Sequence, residues 1–349
     1  MEIVKSNFGS LSNGSPVYKY KLINNNNSFV SIINYGGIIT EIYVPDKCGK
    51  LENVVIGLPD PKDYENNPCC FGAAVGRIAG RISNASFKID NNLYTLEKNC
   101  GKHSLHGGLK GLSRVIWDVK KINDSDFVGV ELSYFSKDME NGFPGNMNVK
   151  VLYTFNNNNE LKLSYTADTD KKTIINMTNH SYFNLSGNYK EDIYSHYLTI
   201  NADNFFELDQ DLIPTGNVLP VDGTPFDFRK AKMVGTDINE DNQQLKYGNG
   251  YDHPFILNKG KDPEITLWNK ESGRILEITT DQKSVVLYTG NSITNKYTYF
   301  NGLKSWDRSA LCLETQYFPD AINQKNVPSN ILNPGEIYNA STTYHFKII

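Results

Sequence analysis

Cysteine is scarce in this sequence of 349 residues and follows no regular pattern. A secreted domain stapled by disulfides, or a cysteine-based zinc site, would show an even set at close, repeated spacing. The five cysteines form no CxxC pair: Cys48, Cys69, Cys70, Cys100 and Cys312. The N-terminal residues also lack the apolar core of a signal peptide. These absences predict a protein of a reducing compartment, and we expect it in the cytoplasm.

Positive charge and long apolar runs are lacking as well. Lys and Arg total 35 against 39 Asp and Glu, which gives a net charge of -4, and no basic block occurs. The cation excess that a nucleic-acid partner would require is therefore missing. No run of about 18 apolar residues is present, so no membrane-spanning helix is expected. We expect a small molecule as the partner and a monomer or weak dimer as the oligomeric state.

Signatures of several large enzyme classes are also absent. The chain has no GxGxxG following a strand and no P-loop, so neither a dinucleotide site nor a nucleotide phosphate site is indicated. It also lacks GxSxG, the turn that presents a serine nucleophile in α/β-hydrolases. Hydrolysis through a serine nucleophile therefore has no support.

Long helical periodicity is missing, and strand patterns run from end to end. Short segments rich in Val, Ile, Thr and Tyr, several of them separated by polar turns, indicate antiparallel hairpins. No repeat, linker or change of composition marks a boundary. We predict one domain over residues 1–349, an all-β antiparallel β-sandwich with little helix. The clearest strand signals are Tyr18–Ile23, Phe29–Asn34, Ile38–Val44, Val149–Phe155, Leu161–Ala167, Ile265–Trp268, Ile275–Thr280 and Val285–Thr289.

One candidate proton donor and one candidate acceptor stand out. His180 lies between an Asn and a Ser and precedes two aromatic residues. An imidazole between such hydrogen-bonding neighbours can be held in one tautomer and shielded from water, as general acid catalysis requires. Glu314 follows an apolar run, so strand alternation places it on the same face as Cys312. A carboxylate there is costly without partners or a task, and taken alone Glu314 would first be interpreted as half of a structural salt bridge.

Two arginines lie among small residues in the segment 76–82. Arg81 has room to project into a cleft as a fork of donors toward sugar hydroxyls or a carboxylate. Arg77 and Arg81 could instead pair with acids at the surface. This segment alone leaves both interpretations open.

The segment 103–108 contains His103 and His106 in HxxH spacing, followed by two glycines. An HxxH pair on a helix can hold a metal ion, but the glycines indicate a loop. No third ligand follows at a spacing typical of metal sites. We therefore predict that His106 is a hydrogen-bonding residue and that the chain has no metal site.

Asp252 precedes a histidine and a proline. The proline favours an extended backbone, so the carboxylate can point outward or into a cleft. An Asp that caps its own turn fits the same hexapeptide equally well.

Six motifs, taken together, resemble the aldose 1-epimerase family. Each would be weak alone, but their order and spacing over the chain, from about Phe8 to near the C-terminus, are specific. The motifs are Asn34-Tyr35-Gly36-Gly37, Gly76 to Ile82, His106-Gly107-Gly108, Asn179 to Leu185, Tyr288-Thr289-Gly290-Asn291 and Leu313-Glu314-Thr315-Gln316.

The resemblance implies a β-sandwich of the galactose mutarotase-like supersandwich type. It implies an enzyme that interconverts the α and β anomers of free aldohexoses such as galactose and glucose, without cofactor or metal. By the same resemblance, Glu314 is the general base and His180 the general acid. Arg81, His106 and Asp252 become sugar-binding residues.

One position departs from the family pattern, because Val286 stands where many members have Gln. A direct hydrogen bond to the sugar is lost there, which affects hydroxyl specificity but not the acid and base pair.

Three rival functions stay open. A hexose-6-phosphate 1-epimerase would need a cluster of cations for phosphate. A non-catalytic sugar-binding or regulatory protein would need no acid and base pair. A glycoside hydrolase would need a second carboxylate flanking the scissile bond.

Overall fold

The computed structural model describes every residue from Met1 to Ile349. Strands hold 45% of the residues and helices 6%, which confirms the predicted all-β class. The strands of the N-terminal half are β1 Glu2–Ser10, β2 Pro16–Ile23, β3 Phe29–Ile33, β4 Ile38–Pro45, β5 Leu51–Asn53, β6 Ala74–Val75, β7 Arg81–Ile82, β8 Ser86–Ile89, β9 Asn92–Thr95, β10 Ser104–Leu105, β11 Asp118–Asn123, β12 Phe127–Ser136, β13 Met147–Asn156, β14 Glu160–Thr169 and β15 Thr173–Ile174. Those that follow are β16 Thr178–Asn179, β17 Tyr182–Phe183, β18 Tyr197–Ile200, β19 Asn204–Leu208, β20 Pro214–Pro220, β21 Lys232–Met233, β22 Asp252–Ile256, β23 Ile265–Trp268, β24 Arg274–Thr280, β25 Ser284–Tyr288, β26 Leu311–Gln316, β27 Ile331–Leu332 and β28 Tyr338–Ile348.

The two α-helices are single turns, α1 Pro61–Glu65 and α2 Gln243–Gly248. Each begins at a capping side chain, Asp60 for α1 and Asn242 for α2, which accepts a hydrogen bond from a backbone N–H of the first turn. Three 3₁₀ turns complete the helical content, at Ser83–Ala85, Leu112–Arg114 and Glu140–Gly142. Neither α-helix has the length or the apolar run that crossing a bilayer requires.

All eight predicted strand segments are strands in the structure, with ends shifted by no more than about two residues. The reason is visible in β13, where buried side chains alternate with exposed or half-buried ones along the whole strand. A strand with one face on the core and one toward solvent produces this period of two.

The strands form three main antiparallel sheets. The largest has nine strands in the order β11-β12-β13-β14-β28-β24-β23-β18-β21. A six-stranded sheet has the order β17-β26-β25-β22-β19-β20, and a five-stranded sheet runs β1-β2-β3-β4-β5 in chain order. Four two-stranded ribbons connect or flank these sheets.

One apolar cluster of 54 buried residues draws side chains from all three main sheets. Phe183 of the six-stranded sheet packs edge-on against Tyr344 of the nine-stranded sheet, with ring centroids 5.3 Å apart. The Thr315 hydroxyl of the six-stranded sheet lies 2.6 Å from the Thr342 hydroxyl of the nine-stranded sheet. The layers therefore pack face to face as the predicted sandwich.

Strand β26 lies inside the six-stranded sheet, between β17 and β25, and all six of its residues are buried. Because both of its faces are covered, polar side chains on this strand lie away from bulk solvent. This strand carries Glu314 and Gln316.

A buried ion pair links the five-stranded sheet to the nine-stranded sheet. The Arg274 guanidinium lies 3.1 Å from the Glu52 carboxylate, and both side chains are only 1% exposed. Arg274 also donates to the backbone carbonyls of Leu185 and Ser186, at the end of the segment that begins with His180. The pair thus holds three parts of the sandwich in register.

We predict that Glu52→Gln destabilises the fold by about 3–5 kcal/mol, because it leaves the buried Arg274 charge without a counter-ion. The free energy of unfolding is to be measured by urea denaturation at pH 7. Asp241→Asn is the matched control, since Asp241 forms an exposed ion pair with Lys246, and it should cost no more than roughly 1 kcal/mol. Equal small losses in both variants would show that the buried pair does not hold the sheets together.

Candidate active site

A pocket with a volume of about 460 Å³ opens beside the six-stranded sheet. Residues far apart in the sequence converge on it from β7, β22, β25 and β26 and from the loops between strands. All five predicted site residues line this pocket: Arg81, His106, His180, Asp252 and Glu314. The structure therefore brings the whole predicted set together.

Glu314 reaches the pocket from the buried strand β26, with only 4% of its surface exposed. Its neighbour across the sheet is Val286 of β25. Strand alternation predicts that Glu314 and Cys312 share a face, and the structure confirms it, because both side chains approach the His180 ring. Glu314 does not form the structural salt bridge considered for it, because no Lys or Arg lies within ion-pair distance and its neighbour is His180 at 3.4 Å.

His180 lies between β16 and β17 and is 5% exposed. Its backbone N–H donates to the carbonyl of Ala73, and its carbonyl accepts from Gly72, both at 2.9 Å. The imidazole stacks on Tyr182 with centroids 5.1 Å apart. Its Nε2 lies 3.4 Å from Glu314 Oε1. Backbone bonds and stacking thus fix an imidazole nitrogen directly opposite a carboxylate oxygen.

The two polar neighbours of His180 do not hold its ring, which corrects the sequence-based expectation. Asn179 Oδ1 accepts from both the N–H and the hydroxyl of Ser181, and its Nδ2 donates to the Gly72 carbonyl. The two side chains satisfy each other and the local backbone instead. The ring's second nitrogen, Nδ1, lies 3.4 Å from Cys312 Sγ.

His106 forms the third side of this cluster. Its Nδ1 accepts a hydrogen bond from the Gly80 N–H at 3.3 Å, so the ring proton of the neutral imidazole is on Nε2. The following Gly107 has a φ of +80°, and a side chain there would collide with the Gly76 carbonyl. The close approach of two loops therefore requires glycine at this turn. Because Nδ1 already accepts a hydrogen bond, the Nε2–H of His106 is left as the donor toward the pocket.

Arg81 and Asp252 form a loose pair at the pocket wall. Their closest charged atoms are 3.9 Å apart, and each side chain is 19% exposed. Arg81 Nε is buried and has no protein partner. The Arg81 guanidinium can thus pair with Asp252 and still donate a hydrogen bond from Nε to a bound molecule.

Arg77 takes neither of the two roles considered for it. The guanidinium is buried and donates to the backbone carbonyls of Ser136, Pro144 and Gly145. It is a structural residue that satisfies loop carbonyls, and it does not line the pocket. The pocket therefore lacks the paired arginines that a phosphate group would favour.

The HxxH pair is separated in space. His103 accepts from the Asn84 N–H and lies 3.4 Å from Asp211, whereas His106 faces the pocket. Residues that are distant in the sequence meet beside His106, because one nitrogen or oxygen atom each of His106, His180 and Glu314 lie within 4.8 Å of one another. These three side chains could coordinate one cation, and the same atoms are close enough to exchange protons.

Burial controls the protonation of the pair. Burial, reinforced by the nearby Asp252 charge, raises the pKa of Glu314 well above its usual range, although Arg81 opposes the shift. Burial lowers the pKa of His180 to about 4. Burial also lowers the pKa of His106 well below its usual range. Burial therefore opposes charge on both imidazoles and on the carboxyl group, so the sugar-free pocket favours the neutral form of each group.

Comparison with known proteins agrees with this geometry. The aldose 1-epimerase family model matches residues 18–345. The chain belongs to the aldose 1-epimerase family. It is 38% identical to the galactose mutarotase of Sus scrofa, covering 100% of this chain and 99% of that one, and 32% identical to the aldose 1-epimerase of Escherichia coli (strain K12), covering 95% and 96%. The crystal structure of galactose 1-epimerase from Lactobacillus acidophilus NCFM aligns with a TM-score of 0.89, at 30% identity over 100% and 99% of the two chains.

Other pocket residues of this aldose 1-epimerase were missed by sequence reasoning. Tyr288 and Gln316 had a usable signal, because each lies in a family motif. Tyr288 ends the strand beside Glu314, and Gln316 is on the same strand as Glu314. Leu208 and Tyr247 had none, since nothing in the sequence shows that β19 and α2 reach the same pocket.

We predict that Glu314→Gln stabilises the fold increasingly as pH rises. The folded pKa of Glu314 is raised, so its favourable contribution is complete below the unfolded value near 4.5 and is lost as pH rises toward the folded pKa. Gln does not ionise, so the difference in unfolding free energy between variant and wild type should grow from pH 5 to pH 8.

Glu207→Gln is the matched control for this measurement. Hydrogen bonds from Asn217 and Thr215 lower the pKa of Glu207, so Glu207 is ionised in both folded and unfolded chains above pH 5. Its variant should differ from wild type by a constant amount over that range. A constant difference for Glu314→Gln as well would contradict the raised pKa.

Proposed function

We propose that this member of the aldose 1-epimerase family interconverts the anomers of free aldohexoses, galactose and glucose among them, with Glu314 and His180 as the acid and base pair. The observation that carries the proposal is the 3.4 Å separation of Glu314 Oε1 and His180 Nε2, two buried side chains that both line the pocket. The galactose mutarotase relatives support galactose as a substrate.

The reaction requires two proton transfers at the anomeric centre. Glu314 removes the proton of the C1 hydroxyl while His180 protonates the ring oxygen, so the bond from C1 to the ring oxygen breaks and an aldehyde forms. The aldehyde turns about its bond to C2 and recloses on either face, with both proton transfers reversed. Each positioned proton transfer typically contributes on the order of 10²- to 10⁴-fold to the rate.

The pair holds one proton through the whole cycle. The state with the proton on Glu314 is the state reached after ring opening, and the sugar-free pocket favours this state because burial opposes charge on both groups. Ring opening begins from the state with the proton on His180. Sugar hydroxyls that donate to the carboxylate, together with Arg81, stabilise that state when substrate is bound.

Three neighbours complete the proposed machinery. His106, neutral and with its proton on Nε2, donates to the ring oxygen as negative charge develops there. Arg81 and Asp252 bind hydroxyls, since they are polar groups on the pocket wall with bonding capacity left over.

The geometry gives no support to the rival functions. A phosphorylated sugar would meet only one arginine in the pocket, and that arginine is already beside Asp252. A binding protein would gain nothing from a buried carboxyl opposite an imidazole, because such a pair is costly to bury. For a glycoside hydrolase the second carboxylate would be Asp252, but the family relation favours epimerisation.

The cellular setting and assembly are also part of the proposal. All five cysteines are free thiols, which supports a reducing compartment such as the cytoplasm. One core shared by the three main sheets supports a single catalytic domain over residues 1–349. We propose a monomer or weak dimer as the oligomeric state.

We predict that Glu314→Gln lowers kcat for mutarotation of α-D-galactose by at least about 10²-fold, because Gln cannot accept the C1 hydroxyl proton. Polarimetry of freshly dissolved sugar in weak buffer measures this rate. Glu264→Gln is the matched control, since Glu264 is an equally buried glutamate outside the pocket, and it should retain the wild-type rate. Near-normal turnover by folded Glu314→Gln would exclude Glu314 as the base.

We predict that the acid limb of the kcat/KM profile falls only as pH approaches about 4. His180 has a pKa of about 4 in the sugar-free pocket, so only there does the pair gain a second proton and lose its base. The profile is to be measured by polarimetry, with circular dichroism at each pH to exclude unfolding. An acid limb of the kcat/KM profile centred near pH 6.5 would mean that the His180 imidazole is not desolvated as described.

A further inference from the structure

Gln316 is a buried amide without a partner. It is the last residue of β26, it is fully buried, and neither its Oε1 nor its Nε2 forms a hydrogen bond. Buried amides in proteins are nearly always satisfied, because a buried unpaired donor or acceptor loses its bonds to water without replacement. An exception that lines a pocket indicates a ligand.

We propose that Gln316 binds a hydroxyl of the sugar other than the anomeric one and determines which hydroxyl pattern is accepted. The inference rests on the proposed function and adds a specificity residue to it. The amide offers one donor group and one acceptor, which matches a hydroxyl group that can do both.

The position of Gln316 on the strand fits this role. It lies two residues from Glu314, so both side chains share one face of β26 and their Cα atoms are about 6.6 Å apart. Glu314 acts on the C1 hydroxyl, and Gln316 therefore meets the sugar farther from the anomeric carbon. Across the sheet, Ser284 donates to the backbone carbonyl of Gln316 and leaves its side-chain amide free.

The opposite wall is shaped to leave the amide uncovered. Gly80 has a φ of +77°, and a Cβ there would lie 3.6 Å from Gln316 Nε2 and 3.3 Å from Pro319. A Cβ at this position would be in van der Waals contact with the amide and tight against the proline ring. Glycine keeps the space beside Nε2 open to a bound molecule.

The other two amides of the pocket differ from Gln316. Asn291 donates to two backbone carbonyls and accepts from Thr289, and Asn249 is exposed and donates to the Asn291 carbonyl. At Val286, across the sheet from Glu314, the chain carries an apolar residue that can neither donate nor accept. Gln316 is therefore the amide available for hydroxyl recognition beside the catalytic pair.

The test is Gln316→Leu, which keeps a similar side-chain volume and removes both polar atoms. Mutarotation is measured by polarimetry for galactose and for its 2-, 3-, 4- and 6-deoxy analogues. We expect kcat/KM for galactose to fall about 10- to 100-fold, mainly through KM. We also expect that, for the analogue lacking the bound hydroxyl, wild type and variant are equal. Gln316→Asn, which retains the amide, should recover part of the loss.

Thermal unfolding separates binding from a structural role. Because the amide has no protein partner, Gln316→Leu should unfold at a temperature no lower than wild type. Gln244→Leu is the matched control, since the Gln244 amide donates to and accepts from the Leu208 backbone, and its variant should unfold at a lower temperature. A drop of similar size in both variants would make Gln316 structural and overturn the proposal.

Two results distinguish failure of this inference from failure of the proposed function. If wild type accelerates galactose mutarotation and Gln316→Leu stays within twofold for every sugar, the inference is wrong while the function stands. If wild type accelerates no sugar, the proposed function fails, and calorimetric titration with galactose then decides on Gln316. Weaker binding by the variant would support the inference, and equal binding would overturn it.

Discussion

The exclusion of water from a carboxyl group and an imidazole 3.4 Å apart is the constraint on which this architecture depends. Strand β26 lies between two other strands and under the nine-stranded sheet, so Glu314 enters the pocket from a fully buried element. Burial raises the pKa of the Glu314 carboxyl group and lowers the pKa of the His180 imidazole. Burial thus favours a neutral carboxyl group beside a neutral imidazole, a pair that holds one proton between them, which is what reversible ring opening requires.

The sandwich provides rigidity where the pair needs it. His180 is held by backbone bonds to the loop before β6 and by stacking on Tyr182. The end of its segment is anchored by Arg274, whose ion pair with Glu52 joins two sheets. Proton transfer depends on positions accurate to fractions of an ångström, so a costly buried ion pair remote from the chemistry contributes to function through geometry.

Sequence reasoning predicted the strands because half-buried strands such as β13 alternate in burial with period two. Sequence reasoning also predicted five pocket residues, because each lies in a motif whose position and order along the chain resemble those of the aldose 1-epimerase family. It was wrong on Asn179 and Ser181, which bond each other, and it did not foresee the structural role of Arg77, which binds loop carbonyls. Such partners depend on which loops meet in space, and local sequence does not contain that information. Gln316 could have been found, because the same alternation that places Glu314 places it on the same face.

The most direct test of the central claim is the protonation of His180 in the sugar-free protein. ¹⁵N NMR of histidine-labelled protein, with the His180 signals assigned by a His180→Asn variant, reports whether the ring is neutral or an imidazolium. Because burial lowers its pKa to about 4, His180 should be neutral from pH 7 down to about pH 5 and titrate only below that. An imidazolium at pH 7, or a titration centred near 6.5, would contradict a desolvated pair that shares a single proton.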